Sequence, residues 1–336
     1  VDSTRLDRLE RQLVHALQID GRAPLSRVAA VLDVSDQTVA RRYRKLHNSG
    51  AMRVLGLPDV SRFGQVEWLV RIQCSPDAAA GVAAALARRD DTSWVSLTAG
   101  GTEIVCVTRS GPRTDGDSLL LQKLPRTPRV VGVTAHNILH AFSGGPTGWH
   151  GKADSLTPDQ IRELDAGLGD PPTRRERLEM FEGDGKLLAM LALDGRAGYA
   201  KLAEVTGWSE STAKRRLERL RRARALFFDV EIDSALLGYE AEMMLWLSVP
   251  PAALVAVGEA LAEHHEVAFA AAVTGSANLV AMVACHDTDD FYHYLTTRIA
   301  TLTQVVAMET APVIRSVKRA GSVPKSLSAG SGPPRR

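Results

Sequence analysis

A chain of 336 residues, 45% hydrophobic and 24% charged, is long enough for two or more domains with real cores, and its composition excludes a largely disordered or collagen-like protein. Cys74, Cys106 and Cys285 are odd in number and far apart, which argues against a disulfide framework or a thiolate metal cluster and fits a reducing cytoplasm. The net charge of +2 conceals a division: residues 1–55 carry ten Lys/Arg against six Asp/Glu, residues 174–228 thirteen against eight, and residues 240–312 one against nine. Two basic segments suited to a phosphate surface therefore stand beside an acidic one that is not.

The opening Val1-Asp2-Ser3-Thr4-Arg5 lacks the basic region and apolar run of a secretory signal. Leu6, Leu9, Leu13 and Leu17 then recur at helical spacing until Asp20-Gly21 ends the helix. Leu25–Leu32 reads as a short second helix, Asp33-Val34 as a tight turn and Ser35 as the N-cap of a third helix from Asp36 to His47. This is a helix-turn-helix, whose last helix is shaped to enter a major groove. Val39, Tyr43 and Leu46 fall on its inward face, and Gln37, Arg41, Arg44, Lys45 and Asn48 on its outward face. With Ser35 at the cap, Gln37, Thr38 and Arg41 are placed for base edges, Gln matching adenine and Arg matching guanine; Arg42, Arg44 and Lys45 are placed for phosphates.

Further along, Val66–Cys74 alternates as a strand and Asp77–Arg88 is an Ala-rich helix. Trp94–Ala99 and Glu103–Thr108 are strands around Gly100-Gly101, Asp117–Leu124 is helical and Val130–His140 is a final strand. The order β-α-β-β-α-β predicts a ferredoxin-like unit with helices on one face of an antiparallel sheet. Its uncovered face invites a partner sheet, which the other half of the chain can supply. A linker opens at Ser143-Gly144-Gly145 and contains a short helix with Thr157 as N-cap and Pro158 at its first position.

The whole pattern then recurs. Leu187–Phe227 repeats Leu13–Arg53 at an offset of 174, anchored by Asp20-Gly21-Arg22-Ala23 against Asp194-Gly195-Arg196-Ala197, with Arg41/Arg215 and Arg42/Arg216 among the identities. In this second copy Ala213, Leu217 and Leu220 face inward. Ser211, Thr212, Lys214, Arg215, Arg216 and Arg219 form the second candidate DNA surface, and Glu218 replaces Arg44 with the opposite charge. The sheet unit recurs as Met243–Val249, Pro251–Glu263, Ala268–Thr274, Leu279–Cys285, Asp289–Ala300 and Val305–Val317. The uncharged run 267–285 is broken by Thr274-Gly275-Ser276-Ala277-Asn278, so it reads as two buried strands and not as a membrane span. The expected divisions are helix-turn-helix 1–60, sheet domain 64–142, linker 143–173, helix-turn-helix 174–232, sheet domain 238–318 and a disordered tail 319–336.

A helix-turn-helix with Asp-Gly-Arg after its first helix, followed by β-α-β-β-α-β with a Gly turn between the central strands, resembles the Lrp/AsnC (leucine-responsive/asparagine-responsive) transcriptional regulators. The resemblance covers nearly the whole chain, in two copies where members of that family typically have one. It implies an α+β fold, a winged-helix/helix-turn-helix domain plus a ferredoxin-like effector (RAM) domain, duplicated in tandem. It further implies double-stranded DNA and an amino-acid-like small-molecule effector as partners, and a homo-oligomer built on an intrachain pseudo-dimer. The family's effector loop is Gly-x-x-Asp with Thr before it. Thr274-Gly275-Ser276-Ala277-Asn278 matches with Asn for Asp, while Thr98-Ala99-Gly100-Gly101-Thr102-Glu103 has one extra residue and ends in Glu. Backbone amides of such turns suit a carboxylate and Glu103 suits an ammonium group, although a plain hairpin also needs Gly there for positive φ.

Other chemistries find less support. His136 and His140 share a strand face, and His264-His265 and His286/His293 are close in sequence, but none has a carboxylate or Cys at a recognised ligand spacing, so no metal and no cofactor are expected. Gly-x-Ser-x-Gly and the Walker loop are absent, and the expected protein is not an enzyme. One enzyme alternative shares the architecture: sirohaem decarboxylases resemble paired Lrp/AsnC units and use basic and histidine residues near the boundary of the modules. Here that boundary, Asp229–Tyr239, is acidic and lacks paired histidines. A further alternative is an architectural DNA-binding protein that senses no effector.

Overall fold

The computed structural model describes residues 5–110, 123–145, 155–165 and 177–320. Its first helix, α1 (Arg8–Ile19), begins with a reciprocal cap in which Asp7 accepts from the Glu10 N–H and Glu10 from the Asp7 N–H. Leu13 and Leu17 are buried as their spacing predicts. α2 (Leu25–Val31) and α3 (Asp36–Asn48) flank a turn in which Asp33 takes φ 53°, and the Ser35 hydroxyl accepts from Thr38 N. Asp tolerates that left-handed conformation better than most residues, which explains its place in the turn. The second copy supplies α6 (Asp184–Leu193), α7 (Tyr199–Thr206) and α8 (Glu210–Arg222), with Ser209 capping α8 as Ser35 caps α3.

Each unit is followed by a strand, β1 (Met52–Pro58) and β6 (Leu226–Ile232). These pair antiparallel with each other, from Met52 opposite Ile232 to Pro58 opposite Leu226. The two helix-turn-helix units are thereby joined through a shared two-stranded ribbon.

The first sheet unit contains β2 (Val66–Cys74), α4 (Pro76–Ala87), β3 (Thr92–Thr98), β4 (Glu103–Ser110) and β5 (Val130–Ser143). The helix expected at Asp117–Leu124 lies almost wholly outside the described residues, and Leu124–Arg126 is a single 3-10 turn. After a one-turn helix, α9 (Ser234–Leu237), the second unit contains β7 (Ala241–Ser248), α10 (Leu254–Ala262), β8 (Val267–Val273), β9 (Leu279–Cys285), α11 (Thr288–Thr297) and β10 (Ala307–Lys318).

The two sheets close into one eight-stranded barrel in the order β10-β3-β4-β2-β5-β8-β9-β7. Closure depends on the two long strands: β5 pairs with β2 and then with β8, and β10 pairs with β7 and then with β3. Period-two alternation divides the apolar residues between two sides. Leu69 and Val107 meet Met244, Trp246 and Val280 in a core shared by both copies, while Val70 and Cys106 pack with α4 residues, and Leu245 and Val283 with α10 and α11 residues. The partner sheet is thus the other half of the same chain.

The linker helix, α5 (Pro158–Asp165), starts at a Thr157–Gln160 reciprocal cap. It docks back on the first helix-turn-helix, burying Leu156 and Leu164 in that core, with Gln160 Nε2 donating to Val31 O. At roughly 1.5–3 kcal/mol for a fully buried leucine, this segment contributes to the first domain in addition to connecting the halves.

Candidate nucleic-acid interface and effector turns

On α3, Val39 is fully buried and Leu46 is 3% exposed, with Tyr43 half-buried, whereas Gln37, Arg41, Arg44, Lys45 and Asn48 are all exposed. Thr38 and Ser35 share a hydroxyl hydrogen bond of 2.9 Å at the helix start. Thr212 and Ser209 repeat it on α8. There Ser211, Lys214, Arg215, Glu218, Arg219 and Arg222 line an open groove of about 660 Å³. Both faces therefore present hydrogen-bond donors to solvent, the second with one carboxylate among them.

Two residues expected on the DNA surface, Arg42 for phosphates and Arg216 in the second copy, face elsewhere. Arg216 is 7% exposed; its Nε and Nη2 donate to the fully buried Asp184 carboxylate, and its guanidinium lies 4.3 Å from the Phe181 ring centroid. Arg42 pairs with Asp7 and with Glu10, itself 4% exposed. In each copy the arginine straps the third helix to the start of the first, because a buried carboxylate requires a partner. Lys45 also reaches Glu10, at 2.7 Å, but its side chain remains 64% exposed. Although burial opposes it, the Lys45 ammonium and the Asp7 N–H hold the Glu10 carboxyl below its ordinary pKa.

Between the two units lies a reciprocal contact made by the duplicated Asp-Gly-Arg-Ala loops. Arg22 donates to the carbonyls of Gly195 and Ala197, and Arg196 to those of Gly21 and Ala23. Arg22 also lies over the Tyr199 ring and Arg196 over the Tyr43 ring, at 5.5 and 5.3 Å. Burial lowers the pKa of both guanidinium groups, and the neighbouring Arg221 adds to the effect at Arg22. A Cβ on Gly21 would lie 2.6 Å from Phe228 Cβ, and one on Gly195 would lie 2.8 Å from the Leu55 carbonyl carbon, so the approach requires glycine on both sides.

The two Gly turns lie between the central strands of their sheets, and their side chains are engaged internally. Glu103, expected to take an ammonium group, is 4% exposed and accepts from Arg71 Nε and Nη2 at 3.1 and 2.8 Å and from the Thr98 hydroxyl. Arg71 also binds Glu309, whose pKa it lowers, and stacks 4.4 Å from the Trp246 ring centroid. A guanidinium from within the chain thus fills the cationic place. Asn278 bonds both the N–H and the carbonyl of Val249, and the Thr274 hydroxyl accepts from Asn137 N. With its proton on Nδ1, His136 donates to the Thr274 carbonyl. Gly100, Thr102, Gly275 and Ser276 remain exposed, Gly101 is half-buried, and the three glycines have positive φ. Among the described residues no group of three or more His, Cys, Asp or Glu could hold a metal ion, and no helix is long and apolar enough to cross a membrane.

A family profile for the AsnC-type helix-turn-helix domain matches residues 6–47 and again 182–221, and one for the Lrp/AsnC ligand binding domain matches 242–323. The chain belongs to the Lrp/AsnC family. It is accordingly a transcriptional regulator of the AsnC type with DNA-binding helix-turn-helix domains. Among its relatives, an uncharacterized HTH-type transcriptional regulator of Pyrococcus horikoshii is 27% identical over 146 residues, 43% of this chain and 92% of that one. The transcriptional regulator FL11 of the same organism is 25% identical over 149 residues, 44% and 98%. The regulatory protein AsnC of Haemophilus influenzae is 28% identical over 142 residues, 40% and 95%. Each is matched over nearly its whole length by less than half of this chain, as a doubled Lrp/AsnC unit requires. The crystal structure of the siroheme decarboxylase NirDL aligns with 94% of this chain and 93% of its own at a TM-score of 0.62 and 13% identity, a likeness of fold across both copies.

Within this Lrp/AsnC chain, sequence reasoning missed four contacts: the reciprocal bonds of Arg22 and Arg196, Asp184 opposite Arg216, Arg71 on Glu103, and Arg221, which donates to Asp20 of the other copy at 3.0 Å. A signal existed for two of them. Arg22 and Arg196 are identical at the repeat offset, and Glu10 and Asp184 occupy equivalent positions as acids.

Proposed function

We propose that this regulator binds double-stranded DNA sequence-specifically as a single-chain pseudo-dimer, each helix-turn-helix addressing one of two unlike half-sites. The observation that carries the reading is the sorting of α3, with Val39 and Leu46 buried and all five of Gln37, Arg41, Arg44, Lys45 and Asn48 exposed, together with its repetition on α8. Gln37, Thr38 and Arg41 read base edges, as do Ser211, Thr212 and Arg215; Arg44, Lys45, Lys214 and Arg219 hold phosphates, and the caps Ser35 and Ser209 fix the helix starts. Glu218 in place of Arg44 makes the second half-site different from the first.

The effector in this reading is a small cytoplasmic metabolite bearing a carboxylate, received by the exposed peptide groups around Gly100 and Gly275. With Glu103 already paired to Arg71, no ammonium partner is assigned at the first turn. The test is retention of genomic fragments, including the chain's own upstream region, by the purified protein over a salt series with nonspecific competitor. Selective retention with steep salt dependence supports the reading. Uniform weak binding, unmoved by carboxylate metabolites, supports an architectural role. A tetrapyrrole-processing enzyme is the second reading, suggested by the whole-chain likeness of fold to NirDL; no selective fragment at any salt, with an absorbance change on adding sirohaem, would favour it over the first.

A further inference from the structure

We infer that the duplicated Asp-Gly-Arg-Ala loops form a clasp that fixes the separation and phase of the two reading helices, with Arg22 and Arg196 as its positioning residues. Each loop has the same division of labour. The Asp carboxylate accepts from the arginine's own N–H, Asp20 at 3.0 Å and Asp194 at 2.9 Å, and so shapes the loop. The glycine admits the opposite repeat at a distance that no Cβ allows. The arginine crosses to two carbonyls of the other loop, at 2.6 and 3.1 Å from Arg22 Nη1 and at 2.6 and 3.0 Å from Arg196. The alanine is buried, Ala23 at 0% and Ala197 at 4% exposed.

The contacts lead directly to the readers. Arg196 stacks on Tyr43, a residue of α3; Arg22 stacks on Tyr199 of α7; and Arg221 of α8 binds Asp20. With Gly195 N donating to Val54 O at 2.7 Å and β1 paired to β6, the helix-turn-helix pair is a single body held by bonds that do not pass through the barrel. A flexible pair of readers tolerates several half-site spacings, whereas a rigid pair accepts the one that matches its own separation. This inference rests on the DNA-binding reading for its consequence, but the clasp itself is measurable without DNA.

The experiment uses the full chain with spin labels at two exposed, repeat-equivalent positions outside the reading faces, Ser26→Cys on α2 and Ala200→Cys on α7. Pulsed dipolar spectroscopy should give a narrow distance distribution for this parent and one at least twice as wide after Arg22→Gln/Arg196→Gln. Arg196→Lys, which keeps the charge but loses the planar fork, should widen it to an intermediate degree. In parallel, operators with half-site spacing changed one base pair at a time should show a single optimum for the parent, falling tenfold or more two base pairs away, and a profile flat within threefold for the double variant. Simple destabilisation would lower binding equally at every spacing. A wide distribution in the parent, an unchanged distribution in the variants, or a spacing profile that keeps its optimum would overturn the clasp. Widening in the variants with no DNA bound by any form would leave the clasp standing and refute the DNA reading.

Discussion

Arg215 and Arg216 are adjacent on α8, yet their replacement should have opposite consequences. Arg216 is 7% exposed against a fully buried Asp184, so Arg216→Ala leaves an uncompensated carboxylate and removes the stacking on Phe181. Breaking a buried pair from one side costs about 3–5 kcal/mol. At 1.36 kcal/mol per decade this lowers hydrogen-exchange protection of the α6 and α8 amides by roughly 100- to 5,000-fold, while the charge facing solvent, and so the salt slope of DNA binding, stays as before. Arg215 is exposed on the reading face, so Arg215→Ala should leave protection unchanged, cost about 1–3 kcal/mol of specific binding and relax preference at one base position. The assays are exchange by mass spectrometry and binding to the selected operator across a salt series. If Arg216→Ala reduced the salt slope by about one with α8 still protected, the inward assignment, and with it the corrected reading of Arg42, would be wrong.

Gly195→Ala should destabilise by about 1–3 kcal/mol in chemical denaturation, because the new Cβ meets the Leu55 and Gly56 backbone; Gly185→Ala near the start of α6 meets nothing within 4 Å and should stabilise by about 0.5 kcal/mol. Burial, with Glu231 adding to it, pushes the Asp229 carboxyl up to about 6. The folded state therefore binds the proton more tightly than the unfolded chain, and this group's contribution becomes less favourable as pH rises from 4 through 6. Asp229→Asn should consequently raise stability by about 1–3 kcal/mol at pH 7.5 and by little at pH 4; an equal gain at both pH values would contradict the shift. Leu164→Ala should cost about 2–5 kcal/mol in the first helix-turn-helix, and an effect near zero in urea unfolding would mean that α5 does not dock.

The parts legible in the sequence are those governed by local periodicity. The faces of α3 followed from i, i+4, i+7 spacing, the caps from Ser35 and Thr157, and the β-α-β-β-α-β order of the second copy from alternation. What escaped depends on partners distant in the chain. Arg42 sits at the edge of the outward face, and Asp7 and Glu10, 35 and 32 residues away, turn it inward; a separation of 32 also divides Asp184 from Arg216. Arg71 and Glu103 meet because β2 and β4 are paired with Gln73 opposite Glu103, a register that no spacing reveals. The repeated Asp-Gly-Arg-Ala was visible as an identity, but its purpose required both copies in place. Alternation ended the last strand of the first copy at His140, whereas the structure carries it to Ser143, where it pairs with Ala270 of β8.

Both seams that close the barrel, β5 to β8 and β10 to β3, join segments of one covalent chain. An assembly of separate subunits dissociates on dilution and exchanges halves with its relatives, whereas tethered halves meet at an effective concentration that no dilution changes. The pairing of unlike readers is therefore inherited with the polypeptide: at the few copies per cell typical of scarce proteins, every molecule still carries one of each, in the same order and with no mixed species.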